Sequence, residues 1–289
     1  MLMGDARCDL HCHTTESDGT LTPRQIVALA REIGLRTLAI TDHDTIAGLA
    51  EGKAAGNDFG VRVLSGVEIS VEYASRTVHM LGYCFDAGAE KLRAGLEKLV
   101  GGRNERNKKI VARLNELGMP VTLEEIEAEA GGKVVGRPHI ARVLLRHGYV
   151  ATWEEAFDKY LARGGAAYFE RLRFTPVDAV ALIREAGGVA VLAHPKYVAL
   201  HEGETLEDIL RTLVDAGLEG IECYYTDHTP EETAAYLELA RRYNLVATGG
   251  SDFHGSVKPD IALGSGKGDL IVSEACADAL VERAARPRG

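Results

Sequence analysis

Apolar positions along the chain alternate between two periods. Short apolar runs at 7–11, 37–41, 61–67 and 78–83 have the length and β-branched content of strands. Between the first two, Thr22-Pro23-Arg24-Gln25 opens a helix. Thr22 caps it, Pro23 suits the first turn, Gln25 completes a reciprocal cap, and Gly34 stops it. This rhythm predicts a mostly parallel sheet with helical crossovers. It breaks between about Leu99 and Phe174, where helical signals dominate. Ile110, Leu114 and Leu117 share one face ended by Gly118, and Pro138 starts a helix stopped by Gly148. Thr122 and Thr152 each precede a glutamate three residues on, as capping boxes do. The rhythm then resumes. Thr175-Pro176 opens a helix stopped by Gly187-Gly188, and strands follow at 189–193, 220–223 and 245–248. Seven strands result. The chain reads as an α/β barrel built from residues 1–98 and 174–289, with a helical insertion at 99–173. A length of 289 residues suits one large domain of that kind.

Composition narrows the class. Hydrophobic residues at 46% and charged residues at 26% are globular values and exclude wholesale disorder. A net charge of −10 excludes a basic surface that coats nucleic acid, though a local cationic pocket remains compatible with it. No apolar run reaches membrane-spanning length, and residues 1–7 lack a basic start and apolar stretch. The five cysteines (Cys8, Cys12, Cys84, Cys223, Cys276) are scattered without paired spacing, so a reducing cytoplasm is the expected home.

The chemistry gathers in the histidines. Of ten, His11, His13, His43, His79, His194 and His254 sit in or beside the predicted strands. His11 and His13 are an i, i+2 pair on one face of a strand, and so are Asp252 and His254. Asp18 lies on the first loop, and Glu68 ends the third strand. Any one of these alone reads as a packed or solvated side chain; together, at one end of successive strands, they read as a metal centre. Mixed imidazole and carboxylate donors suit Zn, Mn or Fe, and nine donors suit two or three ions with open positions. Cys12, between two candidate ligands, should point away into the core. Several divalent ions would outweigh three carboxylates and leave a cationic pocket that favours a phosphate ester.

These residues resemble a known family. Asp9-Leu10-His11-Cys12-His13, Ser17-Asp18-Gly19, Thr41-Asp42-His43-Asp44, Gly66-Val67-Glu68, His79, Ala193-His194-Pro195 and Gly249-Gly250-Ser251-Asp252-Phe253-His254-Gly255 look like the motifs of the PHP (polymerase and histidinol phosphatase) metal-dependent phosphoesterases, in order and over about three quarters of the chain. The resemblance implies a distorted seven-stranded (β/α)7 barrel and three divalent ions, Mn foremost, with Fe or Zn as alternatives. By the same carry-over, His11, His13, Glu68 and Asp252 hold one ion. Glu68, His79 and His194 hold a second, and Asp18, His43 and His254 a third. The implied reaction is attack by a metal-bound hydroxide, with Asp18, His194 or a bound water as the candidate acid.

The insertion sharpens the expectation. Gly136-Arg137-Pro138-His139 and Lys159-Tyr160-Leu161-Ala162-Arg163-Gly164 resemble the insertion of the branch that contains 3′,5′-nucleotide bisphosphate phosphatase and a 5′–3′ exoribonuclease. Arg137 and His139 stand at a helix start, where free N–H groups, dipole and guanidinium favour an anion. Lys159 is expected beside them. Arg171 or Arg173 stands in for a lysine that the resemblance would place at Gly165. Tyr168, Tyr197 and Phe253 are candidate base-stacking side chains. The expected substrate is a nucleotide or short 5′-phosphorylated oligonucleotide, with no membrane and no stable protein partner. Histidinol-phosphate phosphatase and a non-catalytic accessory module are the alternatives. The first should not need this insertion, and the second would not keep all nine ligand positions.

Overall fold

The computed structural model describes residues 7–130, 133–171 and 173–287. Residues 1–6, most of the stretch read above for leader features, lie outside the described residues. Seven strands, β1 (Arg7–Cys12), β2 (Leu35–Ile40), β3 (Arg62–Tyr73), β4 (Arg76–Tyr83), β5 (Val189–Leu192), β6 (Gly220–Tyr225) and β7 (Val246–Gly250), pair in chain order. The first and last meet where Cys12 bridges Phe253. There His13 N–H donates to Phe253 O at 2.9 Å and Asp252 N–H to His11 O at 2.8 Å. Gly250 permits this seam, because a Cβ there would lie 2.3 Å from His11 N. The result is a nearly closed seven-stranded barrel.

Helices α1 (Pro23–Glu32) and α2 (Leu49–Phe59) carry the chain between β1, β2 and β3. Thr22 and Gln25 form the reciprocal cap that the sequence calls for, and Gly34 takes the left-handed conformation that ends α1. The sheet is less parallel than the strand–helix rhythm predicts. β3 overshoots the barrel rim and turns through Ala74 and Ser75, both at positive φ, into β4, which pairs antiparallel with both neighbours. Glu68 is therefore mid-strand rather than at a strand end. His79 enters from the first half of β4, opposite Ser70.

The segment between β4 and β5 replaces one crossover. It holds α3 (Glu90–Glu116), α4 (Leu123–Ala130), α5 (Arg137–Arg146), a short α6 (Trp153–Ala156) running into a π-turn, and α7 (Pro176–Glu185). α3 starts well before the face of Ile110, Leu114 and Leu117 read in the sequence and belongs to two cores. Leu92, Leu96 and Leu99 pack on the barrel's outer layer, whereas Ile110 and Leu114 pack with Ile126, Ile140 and Leu144 in a separate helical core. At α6, Glu155 reaches Ala151 N–H at 2.6 Å, so only half of the expected box at Thr152 forms. α8 (Leu206–Asp215) and α9 (Pro230–Arg242) complete the outer layer, and α10 (Glu274–Ala284) follows β7. Val272, just before α10, and Cys276, Ala277 and Leu280 within it close the barrel interior against Cys8, Leu10 and Val191. That plug leaves the opposite mouth for polar side chains. Among the described residues, no helix is long and apolar enough to cross a membrane.

Candidate active site

All nine expected donor residues converge at the open mouth. Glu68 is their centre and is almost fully buried. Its Oε2 lies 3.2 Å from His11 Nε2, 3.2 Å from His13 Nε2 and 3.1 Å from His43 Nδ1. Its Oε1 lies 2.8 Å from His79 Nδ1 and 3.0 Å from His194 Nε2. Asp252 Oδ1 closes the first group, 3.6 Å from His11 Nε2 and 3.2 Å from His13 Nε2. On the outer side Asp18 stands 3.7 Å from His43 Nε2 and 3.5 Å from His254 Nε2. Three overlapping groups, each with donor atoms within 4.8 Å of one another, can hold an ion: His11, His13, Glu68 and Asp252; His43, Glu68 and His79; and His13, Asp18, His43 and His254.

The donor atoms fit such ions in a further respect. His11 Nε2, His13 Nε2, His43 Nδ1, Glu68 Oε2 and Asp18 Oδ1 are buried yet make no hydrogen bond. Buried polar atoms are rarely left so, and here they crowd around one another. Their protonation reflects the crowding. Burial opposes charge on His11 and His13, but Glu222 and Glu68 hold His11 well above the ordinary histidine range, and Asp252 and Glu68 hold His13 up at about 9. Burial, with His13 nearby, pushes His43 down to about 3 and His254 to about 4. Burial would raise Glu68, but His79, His43 and His11 bring it well below the carboxylate range.

A second ring of contacts aims the donors. Glu222 accepts from His11 Nδ1 at 2.9 Å and from the His194 backbone at 2.7 Å, which turns His11 Nε2 inward. Tyr225 and Lys258 donate to Asp252 Oδ2 at 2.8 and 2.7 Å and leave Oδ1 free. Asp42 takes Thr14 and Ser17, fixing the loop that carries Asp18. Cys12 points away as expected, its thiol on Ala39 O. Asp44, His194 and Asp252 have positive φ, a conformation that costs a non-glycine residue free energy and clusters at functional sites.

The cleft has two halves joined at the donors. The first runs under the insertion and gathers Arg103, Arg106, Arg137 and Arg171 with His139 and Arg142. Burial and four neighbouring guanidiniums push Arg106 down to about 8, and burial with Arg103 pushes Arg171 to about 10. Asp44 pairs with Arg103 and stands 4.0 Å from Arg171, while Glu72 takes Arg173 at 2.8 Å. Nε of Arg103 and both Nε and Nη1 of Arg171 remain without hydrogen-bond partners. Arg137 spends one N–H on Leu161 O at 3.0 Å, and His139 Nδ1 caps α5 through Gly136 N–H. The second half is lined by Tyr197, Val198 and Tyr225.

Other expectations fall differently. Lys159 is not brought to the cleft; it is exposed and paired with Glu155 at 2.7 Å. Gly165 has a local reason: a Cβ there would lie 2.6 Å from the Tyr160 carbonyl carbon, so a lysine does not fit this backbone. Phe253 is buried in the outer core, and Tyr168 lies beneath Arg137. Only Tyr197 of the three aromatic candidates faces the cleft. Trp153 and Phe157, which the sequence reading passed over, line the insertion side. Arg103, Arg106 and Glu222 were also missed. The signal was there in part: Arg103 and Arg106 occupy the stripe that continues as Ile110 and Leu114, and an arginine on an apolar face needs a reason.

Comparison with known proteins agrees with the geometry. The chain is 34% identical to a 5′–3′ exoribonuclease of Haemophilus influenzae, covering 85% of this chain and 89% of that protein. It is 36% identical to a 3′,5′-nucleoside bisphosphate phosphatase of Chromobacterium violaceum (86% and 87% covered). It is equally similar, at 36%, to a phosphoribosyl 1,2-cyclic phosphate 1,2-diphosphodiesterase of Eggerthella lenta (86% and 94%). A crystal structure from Bifidobacterium adolescentis, described as a metal-dependent phosphoesterase, superposes with a TM-score of 0.82 at 32% identity over 96% of both chains. The PHP domain model matches residues 9–162, and with these relatives spanning most of their own length, the chain belongs to the PHP family of metal-dependent phosphoesterases.

Proposed function

We propose that this enzyme hydrolyses the phosphoester on the 3′ oxygen of a nucleotide whose 5′-phosphate it holds, as a 3′,5′-bisphosphate phosphatase, a 5′–3′ exonuclease on short RNA, or both. The observation that carries the reading is a buried, under-neutralised arginine cluster one cleft-length from a nine-residue donor set. His11, His13, Glu68 and Asp252 would hold one divalent ion, Glu68, His79 and His194 a second, and Asp18, His43 and His254 a third, with Mn the first candidate. Such ions supply Lewis acidity and a nucleophile at neutral pH. A ligating atom carries no proton to give, so Asp18 and His194 are assigned to the ion set rather than to proton donation. Lys258, which lines both halves of the cleft, offers its charge to the phosphate under attack. Arg171 and Arg103 offer free N–H groups to the remote phosphate, and Arg137 and His139 close its edge. Residues 99–173 act as the cap over that half, where Trp153 and Phe157 seat the first base. Asp44 and Glu72 are paired with Arg103 and Arg173 and leave Arg106 and Arg171 without a close carboxylate; this is why a doubly charged terminal phosphate fits.

The test incubates the Mn-loaded protein in parallel with adenosine 3′,5′-bisphosphate, histidinol phosphate and a 5′-phosphorylated RNA oligomer. Hydrolysis of the first or third, and indifference to the second, is the expected outcome. Preference for histidinol phosphate would sink the reading. Elemental analysis should find more than one ion per chain.

A further inference from the structure

The two halves of the cleft differ in chemistry, and the difference has a direction. The insertion half is cationic and ends in the arginines. Among the described residues the other half has no arginine; its rim is Tyr197, an aromatic side chain 52% exposed. This ring is held in place. It follows His194 through a single 3-10 turn, Pro195–Tyr197. Its hydroxyl donates to Asp227 Oδ2 at 2.8 Å, and His194 and Tyr225 meet it edge-on, with centroids at 6.0 and 6.2 Å. Edge contacts and a pinned hydroxyl fix the ring while leaving it open to solvent. Lys267 bonds the Asp227 carboxylate and offsets its charge, and Lys196 donates to the Asp227 backbone carbonyl at 2.8 Å. Past Tyr225 the surface continues into a groove lined by Tyr224, His228, Pro230 and Leu270.

This inference rests on the reading above. If the first nucleotide lies between the arginines and the donors, whatever is esterified to the far side of the scissile phosphate must leave toward Tyr197. A terminal phosphate has nothing to place there. A strand does: its second nucleotide. We propose that Tyr197 is the stacking platform for the base of that second nucleotide, which makes the substrate class an oligonucleotide rather than only a mononucleotide bisphosphate. A pinned aromatic face recognises any base by stacking, without reading its edge, so the subsite tolerates sequence.

The experiment compares the metal-loaded wild type, Tyr197→Ala and Tyr197→Phe on three substrates. These are adenosine 3′,5′-bisphosphate, a 5′-phosphorylated RNA trinucleotide, and the same trinucleotide abasic at its second position. Stacking predicts that removing the base or the ring lowers trinucleotide kcat/KM by roughly 5- to 100-fold. The two losses should not add: Tyr197→Ala should be blind to the missing base. Tyr197→Phe should keep most of the effect. An equal loss on the bisphosphate and the trinucleotide, or an undiminished abasic penalty in Tyr197→Ala, overturns the proposal. Fluorescence anisotropy of a 3′-labelled, 5′-phosphorylated trinucleotide on the chelator-stripped chain separates the two readings. If the wild type cleaves neither nucleotide substrate, the function proposed above fails. The subsite then stands or falls on whether Tyr197→Ala weakens this binding by a similar factor.

Discussion

Replacing Arg171 by methionine should make the protein more stable and less active, and the opposed signs are the point. Its side chain is buried, two of its nitrogens have no partner, and its nearest carboxylate, on Asp44, is already paired with Arg103. Its loss therefore breaks no close ion pair. It removes one of four guanidiniums that, after burial itself, push Arg106 from 12.5 down to about 8. At about 1.4 kcal/mol per pH unit that displacement is on the order of 6 kcal/mol, burial first. One neighbour's share is on the order of 1 kcal/mol, a melting temperature higher by about 2 °C for a chain of this size. The sign follows from charge: at pH 7 Arg106 is protonated folded and unfolded, so a depressed folded pKa is a cost that the substitution relieves. Activity moves the other way. A charge-assisted contact to a terminal phosphate is worth about 1.5–3 kcal/mol, so kcat/KM on adenosine 3′,5′-bisphosphate should fall about 10- to 100-fold. Adenosine 3′-monophosphate, which lacks the remote phosphate, should be nearly indifferent. Scanning calorimetry and parallel kinetics on the two substrates read both signs. A lower melting temperature, or equal losses on both substrates, would falsify the assignment of the arginine cluster to a remote phosphate.

Three further outcomes are expected. Glu222→Gln, which weakens the bond that turns His11 inward, should lower metal affinity by about 10- to 100-fold in a titration while leaving the fold intact; unchanged affinity would count against the aiming role. Asp44→Ala should be the opposite of Arg171→Met, destabilising by about 3–5 kcal/mol in thermal unfolding, because it strands Arg103 and frees Ser70 N–H. The chelator-stripped protein should lose stability as pH rises from about 7.5 to 9. His13, held at about 9, and His11 favour the protonated folded state, and that gain disappears as they titrate, whereas His43 and His254 are almost wholly neutral in both states across this window. The melting-temperature gap between metal-loaded and stripped protein should widen with pH, and a flat gap contradicts the argument.

What the chain spelled out locally is what folded as read. Thr22, Thr122 and Thr175 cap helices because each carries its partner three residues on. The i, i+2 histidine pair in β1 needed only the strand period. What went unread depends on tertiary partners. Gly101-Gly102 looks like a helix break, at about 1 kcal/mol each in propensity, yet α3 runs through because cores on both sides hold it. Glu222 is one acid in an otherwise apolar and aromatic strand; nothing nearby says that it will meet His11 across the barrel. Lys159 and Glu155 are an i, i+4 pair whose own attraction takes the lysine out of the cleft. The reversal of β4 was hidden because its apolar content is the same in either direction.

The barrel seam sets the order in which the molecule must come together. β3 and β4 are joined by a two-residue turn, so Glu68 and His79 meet early in folding, at little loop-closure cost. His11 and His13 meet Asp252 only when segments about 240 residues apart close. The seam there has few backbone hydrogen bonds. Any ligand that engages both sides therefore acts as a clasp on the last step of folding and the first step of opening. Amide exchange at Cys12, His13 and Phe253 should slow most when the centre is filled. The ions would then serve as a quality mark: a chain that has not finished its barrel has no complete centre, and cannot turn over any substrate while half-made.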